Sequence, residues 1–136
     1  MDRLTQKIRT LEKAFQSLEE SHFKFQENKE QYFYKELRDS VIKRFEYTID
    51  YLWKTLKLYL EKKHEILTAE SPKKIFDQAQ KANVISKEEL EIFRNMIQDR
   101  NNTSHMYQEE LSEGLLKNMT LYIKELSKLL ITLKMS

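Results

Sequence analysis

Leu4, Ile8, Leu11, Phe15, Leu18, His22 and Phe25 follow one another at alternating intervals of four and three, which lays one apolar seam along a helix from about Asp2 to Gln26. His22 lies on that seam and reads as a core-edge histidine with one ring nitrogen hydrogen-bonded. After a polar link around Glu27, Asn28 and Lys29, a second helix is expected from near Gln31 to about Lys63, with no glycine or proline to interrupt it. At 100° per residue its broad face carries Val41, Ile42, Phe45, Ile49, Leu52, Trp53, Leu56, Tyr59 and Leu60. Tyr47, Tyr51 and Leu58 make a narrow second stripe, flanked by Arg44 and Lys54, and Lys43, Glu46, Asp50 and Lys57 form a charged strip between the two. Outward aromatics mark association surfaces, so the narrow stripe is either a dimer or partner seam or a set of scattered exposed tyrosines.

Ser71 and Pro72 announce a short third helix, because serine caps free amides and proline is preorganised for the first helical position. It carries Ile75, Phe76 and Ala79 and ends before Asn83-Val84-Ile85. Ser86 with Glu89 three residues on is a capping box opening helix four, whose core face is Leu90, Phe93 and Ile97. The next step of three reaches Arg100, so a guanidinium projects from the face that buries hydrocarbon and must find a carboxylate, a carbonyl or a bound anion. Asn101 to Ser104 are poor helix formers, and the helix is expected to end or distort there and restart near Gln108. Leu111, Leu115, Met119, Tyr122, Leu126, Leu129 and Leu133 then give helix five a long seam.

Composition narrows the class. One glycine and one proline in 136 residues leave almost no material for hairpins, so the fold is expected to be all-α: an up-and-down bundle of four main helices plus one short helix, in a single domain over 1–136. The absence of cysteine removes disulfides, thiolate zinc sites and cysteine nucleophiles. Three scattered histidines offer no metal spacing, and no metal or cofactor is expected. With 24 basic against 22 acidic residues the net charge is +2, short of the footprint of a dedicated nucleic-acid-binding domain, so any RNA contact is expected to be local. The first residues form no apolar signal core, and no run approaches the roughly 18 apolar residues of a membrane span. A cytoplasmic protein is expected.

The densest chemistry is Asp99-Arg100-Asn101-Asn102-Thr103-Ser104-His105-Met106-Tyr107, at the junction of helices four and five. Arginine supplies a permanent charge and a fork for a phosphate, and histidine exchanges protons near neutral pH. RNA cleavage needs little more, since the ribose 2′-OH is its own nucleophile. The same residues are also compatible with a purely structural junction, in which Arg100 pairs with Asp99 or Glu46 and His105 caps the following helix. Ser104 beside His105 lacks an orienting acid, and there is no glycine-rich phosphate loop.

Arg100 to Tyr107 matches the R-x4-H-x-Y motif of HEPN-domain proteins, including the polar residue after the arginine. Arg44-Phe45-Glu46-Tyr47-Thr48 followed by Trp53-Lys54-Thr55-Leu56-Lys57 resembles the signature of their nucleotidyltransferase substrate-binding subfamily, which Ser71-Pro72 and the Asp99 to His105 run also fit. The resemblance spans essentially the whole chain. It implies a five-helix bundle that forms a homodimer, with the arginine–histidine pairs of both subunits meeting in an interfacial cleft, and a minimal nucleotidyltransferase (MNT) partner encoded nearby. In related pairs the HEPN protein is a metal-independent RNase toxin and the MNT an antitoxin that adenylylates the motif tyrosine. An older reading of the subfamily makes it the non-catalytic substrate-binding subunit of a nucleotidyltransferase. Carried onto this chain, Arg100 and His105 would be catalytic toward an RNA or nucleotide substrate. Asn101 would orient substrate or histidine, Glu46 would pair with the arginine, and Tyr107 would be the modification site.

Overall fold

The computed structural model describes residues 1–135, and among them the secondary structure is entirely helical. Helix α1 spans Arg3–Glu27, α2 Tyr34–His64, α3 Pro72–Lys81, α4 Lys87–Asn101 and α5 Glu109–Lys134, with a 3-10 turn at Thr103–His105 before α5. This is the expected four long helices plus one short one. Asp2 starts α1 by accepting the Thr5 amide at 2.7 Å, and the seven seam residues from Leu4 to Phe25 turn inward, six of them buried and Ile8 partly so. His22 is buried with them, and desolvation lowers its pKa.

Helix α2 begins three residues later than the pattern suggested. Two turns, with amides of Gln31 and Tyr34 bonded to carbonyls of Asn28 and Gln31, satisfy the link's backbone, and Tyr34 packs on Phe25 with ring centres 6.5 Å apart. The broad face of α2 is the centre of the core: Val41, Phe45, Leu56 and Leu60 have no accessible surface. The narrow second stripe is not an open seam. Helix α1 lies across it, burying Leu58 and half-burying Tyr47, whose hydroxyl donates to Ser17 at 3.1 Å; only Tyr51 remains exposed.

Glu65 ends α2 in the left-handed region at φ 54°. Before α3 the chain is stitched by Gln78, which accepts from the Ala69 amide at 3.0 Å and donates to the Leu67 carbonyl at 3.1 Å. Ser71 takes the cap position of α3 with its hydroxyl uninvolved, contrary to the expectation of a serine cap; Pro72 has already removed one of the free amides there. Asn83, at φ 61°, closes α3: its amide reaches the Gln80 carbonyl and that of Val84 reaches Ala79, a Schellman ending in which asparagine serves in place of glycine. The Ser86–Glu89 capping box is formed in both directions, at 3.1 and 2.7 Å. Phe76 of α3 and Phe93 of α4 stack at 4.9 Å. Among the described residues no helix is long and apolar enough to cross a membrane.

Candidate functional site

The α4–α5 junction is built around three inward anchors. The first is Arg100 itself, which reaches back from the last turn of α4 to the middle of α2. Its Nε and Nη2 donate to the two carboxylate oxygens of Asp50, both at 2.9 Å, a bidentate fork. Its Nη1 donates to the Thr103 hydroxyl at 3.2 Å and lies 3.9 Å from Glu46 Oε2. The Thr103 hydroxyl stands 2.9 Å from that same Glu46 oxygen and 2.8 Å from the Arg100 carbonyl, one of which takes its proton. Hydrogen bonding to Asp50 raises the Arg100 pKa further above its ordinary range. Partial burial pushes Glu46 upward, but the bonds from Thr103 and Lys43 and the charge of Arg100 outweigh it and leave its pKa lowered.

The second anchor is Asp99. It faces away from Arg100 and accepts the Tyr122 hydroxyl of α5 at 2.6 Å, while the Tyr122 ring stacks on Phe45 of α2 at 5.8 Å. Burial raises the pKa of Asp99, the bond from Tyr122 notwithstanding, and burial together with that bond raises the pKa of Tyr122. The third anchor is Met106, buried between two exposed neighbours. With Met106 inward, His105 and Tyr107 stand outward on the turn, and Tyr107 is 79 % exposed. Beyond the turn, buried Arg38 at the start of α2 binds Glu109 at 3.0 Å and Glu113 at 3.5 Å, fixing the first turn of α5. The motif segment is therefore tied to α2 on both sides.

Against the sequence-derived expectations, Arg100 and Glu46 do meet, though through Thr103 more than directly. The main partner of Arg100 is Asp50, which the pattern placed only in a charged strip; Glu46 and Asp50 are four residues apart and share one face of α2. Asp99 is not a partner of Arg100. His105 does not cap α5, whose cap position is held by Gln108 without a side-chain bond. Asn101 ends α4 with its side chain exposed and not bonded to His105. Within the chain, then, the arginine is held inward and the histidine and tyrosine are presented to solvent. Thr103 and Tyr122 complete this junction; a threonine three residues after the arginine is the sequence signal for the first, and the apolar seam of α5 carries none for the second.

Comparison with known proteins places this geometry. Residues 6–135 match the model of a family described as nucleotidyltransferase substrate binding protein like. A solved structure from Thermus thermophilus is 31 % identical, with a TM-score of 0.80 over 90 % of this chain and 98 % of that one. A toxin–antitoxin structure with AMP-PNP aligns with a TM-score of 0.75 at 15 % identity, over 98 % and 99 % of the two chains. A tri-AMPylated HEPN toxin from Shewanella oneidensis, in complex with its MNT antitoxin, aligns over the whole of both chains with a TM-score of 0.74 at 16 % identity. No curated protein matches the chain.

Proposed function

Because the chain belongs to the nucleotidyltransferase substrate binding protein like family and has the fold of a HEPN toxin, we propose that it is the HEPN subunit of an MNT–HEPN toxin–antitoxin pair. In this reading it is a metal-independent endoribonuclease whose active site forms where two subunits meet. The observation that carries it is the division of labour at the junction: Arg100 fixed by the Asp50 fork, with His105 and Tyr107 directed outward from the turn anchored by Met106.

In a dimer the outward histidines face the partner's site. Arg100, oriented by Asp50, neutralises the non-bridging oxygens of the scissile phosphate. One His105 takes the 2′-OH proton as that oxygen attacks phosphorus, and the partner's His105 protonates the departing 5′ oxygen. The products are a 2′,3′-cyclic phosphate and a 5′-OH. Asn101, exposed beside the arginine, is the group available to orient the ribose or the histidine, and Glu46 holds Thr103 against the guanidinium. Tyr107, being exposed, is the residue a nucleotidyltransferase can reach; its oxygen attacks the α-phosphorus of ATP, pyrophosphate leaves, and the AMP installed places an anion and a bulky group at the cleft.

The test is cleavage of labelled RNA in EDTA by the purified protein. Wild type is expected to cut and His105→Ala to lose at least about a hundredfold, the usual range for general acid–base groups; equal activity, or none in either, overturns the reading. A second reading, a non-catalytic subunit that presents substrate to a nucleotidyltransferase, is favoured by the engagement of Arg100 within the chain, where Asp50 and Thr103 take three of its five N–H donors. Copurification with the partner and unchanged function in the Arg100→Ala and His105→Ala variants would favour that second reading.

A further inference from the structure

Of the arginines in this chain, Arg38, Arg44 and Arg100 turn inward, and two of these meet carboxylates. Arg38 binds Asp39, Glu109 and Glu113, and Arg100 binds Asp50 and Glu46. Arg44, half-buried on the face of α2 that packs on α1, is in no salt bridge among the described residues. Its Nε donates to Ser17 Oγ at 2.9 Å, and its Nη1 donates to the hydroxyl of Ser40, one turn back, and to the Ser40 carbonyl at 3.4 Å. A guanidinium held only by neutral oxygens keeps its charge uncompensated, and an anion removes that cost.

Beside Arg44 a concavity of about 170 Å³ opens between α1 and α2. Ser17, Ser21 and Lys24 line it from α1 at intervals of four and three, and Ser40 and Arg44 line it from α2. The two outer hydroxyls already act as acceptors: Ser17 Oγ takes bonds from Arg44 and from Tyr47, at 2.9 and 3.1 Å, and Ser40 Oγ takes one from Arg44. Among the described residues, neither of these serines donates its own proton to a protein acceptor, and Arg44 Nη2 donates to none. Ser21 spends its proton on the Leu18 carbonyl at 2.9 Å. Glu20, the one carboxylate lining the cleft, forms an ion pair with neither Arg44 nor Lys24 among the described residues. The cleft therefore gathers donors that lack acceptors: Arg44 Nη2, two hydroxyls and the Lys24 ammonium.

We propose that this cleft binds a phosphate group, either as inorganic phosphate or as the terminal phosphate of a nucleotide whose nucleoside stays outside. Charge and donor number select it. Two cations and two hydroxyls suit the several oxygens of a phosphate dianion better than the two oxygens of a carboxylate. Size selects the group over the whole molecule, because about 170 Å³ falls below the roughly 300 Å³ at which clefts begin to enclose complete small molecules. The cleft is separate from the Arg100 centre: residues 44 and 46 stand about 200° apart around α2, and Glu46 faces Thr103. The proposal therefore stands whether or not the protein cuts RNA. It also gives a task to Arg44 and Tyr47, whereas the ribonuclease reading uses only Glu46 of the Arg44 to Thr48 stretch. A phosphate held here bridges α1 and α2, so occupancy stabilises the fold.

The test is a series of thermal melts of the full-length protein in rising inorganic phosphate, with sodium chloride holding the ionic strength constant, repeated with AMP and with acetate. The melting temperature of wild type is expected to rise and saturate with phosphate, and acetate to leave it unchanged. Arg44→Gln is expected to weaken phosphate at least about tenfold, and Ser17→Ala/Ser40→Ala, which keeps both cations, at least about fivefold, since each removes hydrogen bonds to a charged group. Lys81→Gln, at the exposed end of α3, is expected to change it less than about twofold. The melts without phosphate show whether each variant is folded, and the serine variant carries the test if Arg44→Gln is not. Equal affinity for phosphate and AMP identifies the free ion as ligand, and tighter binding of AMP identifies a nucleotide end; either supports the site. No saturable shift in wild type, acetate matching phosphate, or unchanged phosphate affinity in the site variants would overturn it.

Discussion

Arg100 meets a partner that neither its neighbours in sequence nor the motif itself names. Asp50 is 39 % exposed, so the fork between them is screened by water and is worth less than a buried pair. Asp50→Asn is expected to lower stability by about 1 kcal/mol, measured by urea unfolding, while loosening the guanidinium enough to reduce RNA cleavage at least tenfold; full activity in this variant would show that Asp50 does not position the arginine. Behind it, the Asp99–Tyr122 bond is more deeply placed. Tyr122→Phe leaves a half-buried carboxylate without its donor and is expected to cost about 1–3 kcal/mol, and adding Asp99→Asn should recover part of the loss. The legibility of these contacts differs for a physical reason. Helical spacing showed that Arg100 points inward and therefore needs an anion, but the choice among Glu46, Asp50 and Asp99 depends on the rotation of α4 against α2, which no single-helix pattern contains.

At the scale of elements, the helices that meet at the junction are legible in the sequence, although the side-chain anchors between them are not. Seams at intervals of three and four located α1, α4 and α5, and the Ser86–Glu89 capping box formed as its spacing required. Its worth is measurable: Ser86→Ala is expected to lower stability by about 1 kcal/mol and the melting temperature by about 3–5 °C. The readings that changed were those that depended on a second element. The Tyr47–Tyr51–Leu58 stripe faced outward on its own helical wheel, yet it is largely covered because α1 crosses it. The same wheel could not show that Trp53, counted as core, is only partly buried and lines a basic concavity. Ser71 keeps its place at the head of α3 but makes no side-chain cap bond.

For the whole molecule, the proposed reading makes one subunit half of a catalytic centre, with Arg100 held inward by Asp50 and His105 exposed on the turn. A homodimer is therefore expected by light scattering at micromolar concentration, and its partner MNT is expected to add AMP at Tyr107, with Tyr107→Phe remaining unmodified by intact-mass analysis. The chain's near-neutral total charge conceals a local excess where the start of α1 meets the end of α2, whose two concavities are lined by eight basic and four acidic residues. The most direct measurement of the central claim is the chemistry of the cut ends, obtained by mass spectrometry of RNA incubated with the dimer in EDTA. Transfer within the ribose predicts 2′,3′-cyclic phosphate and 5′-OH termini from wild type and neither from His105→Ala or Arg100→Ala. Termini bearing 5′-phosphate and 3′-OH, or identical products from all three proteins, would contradict it.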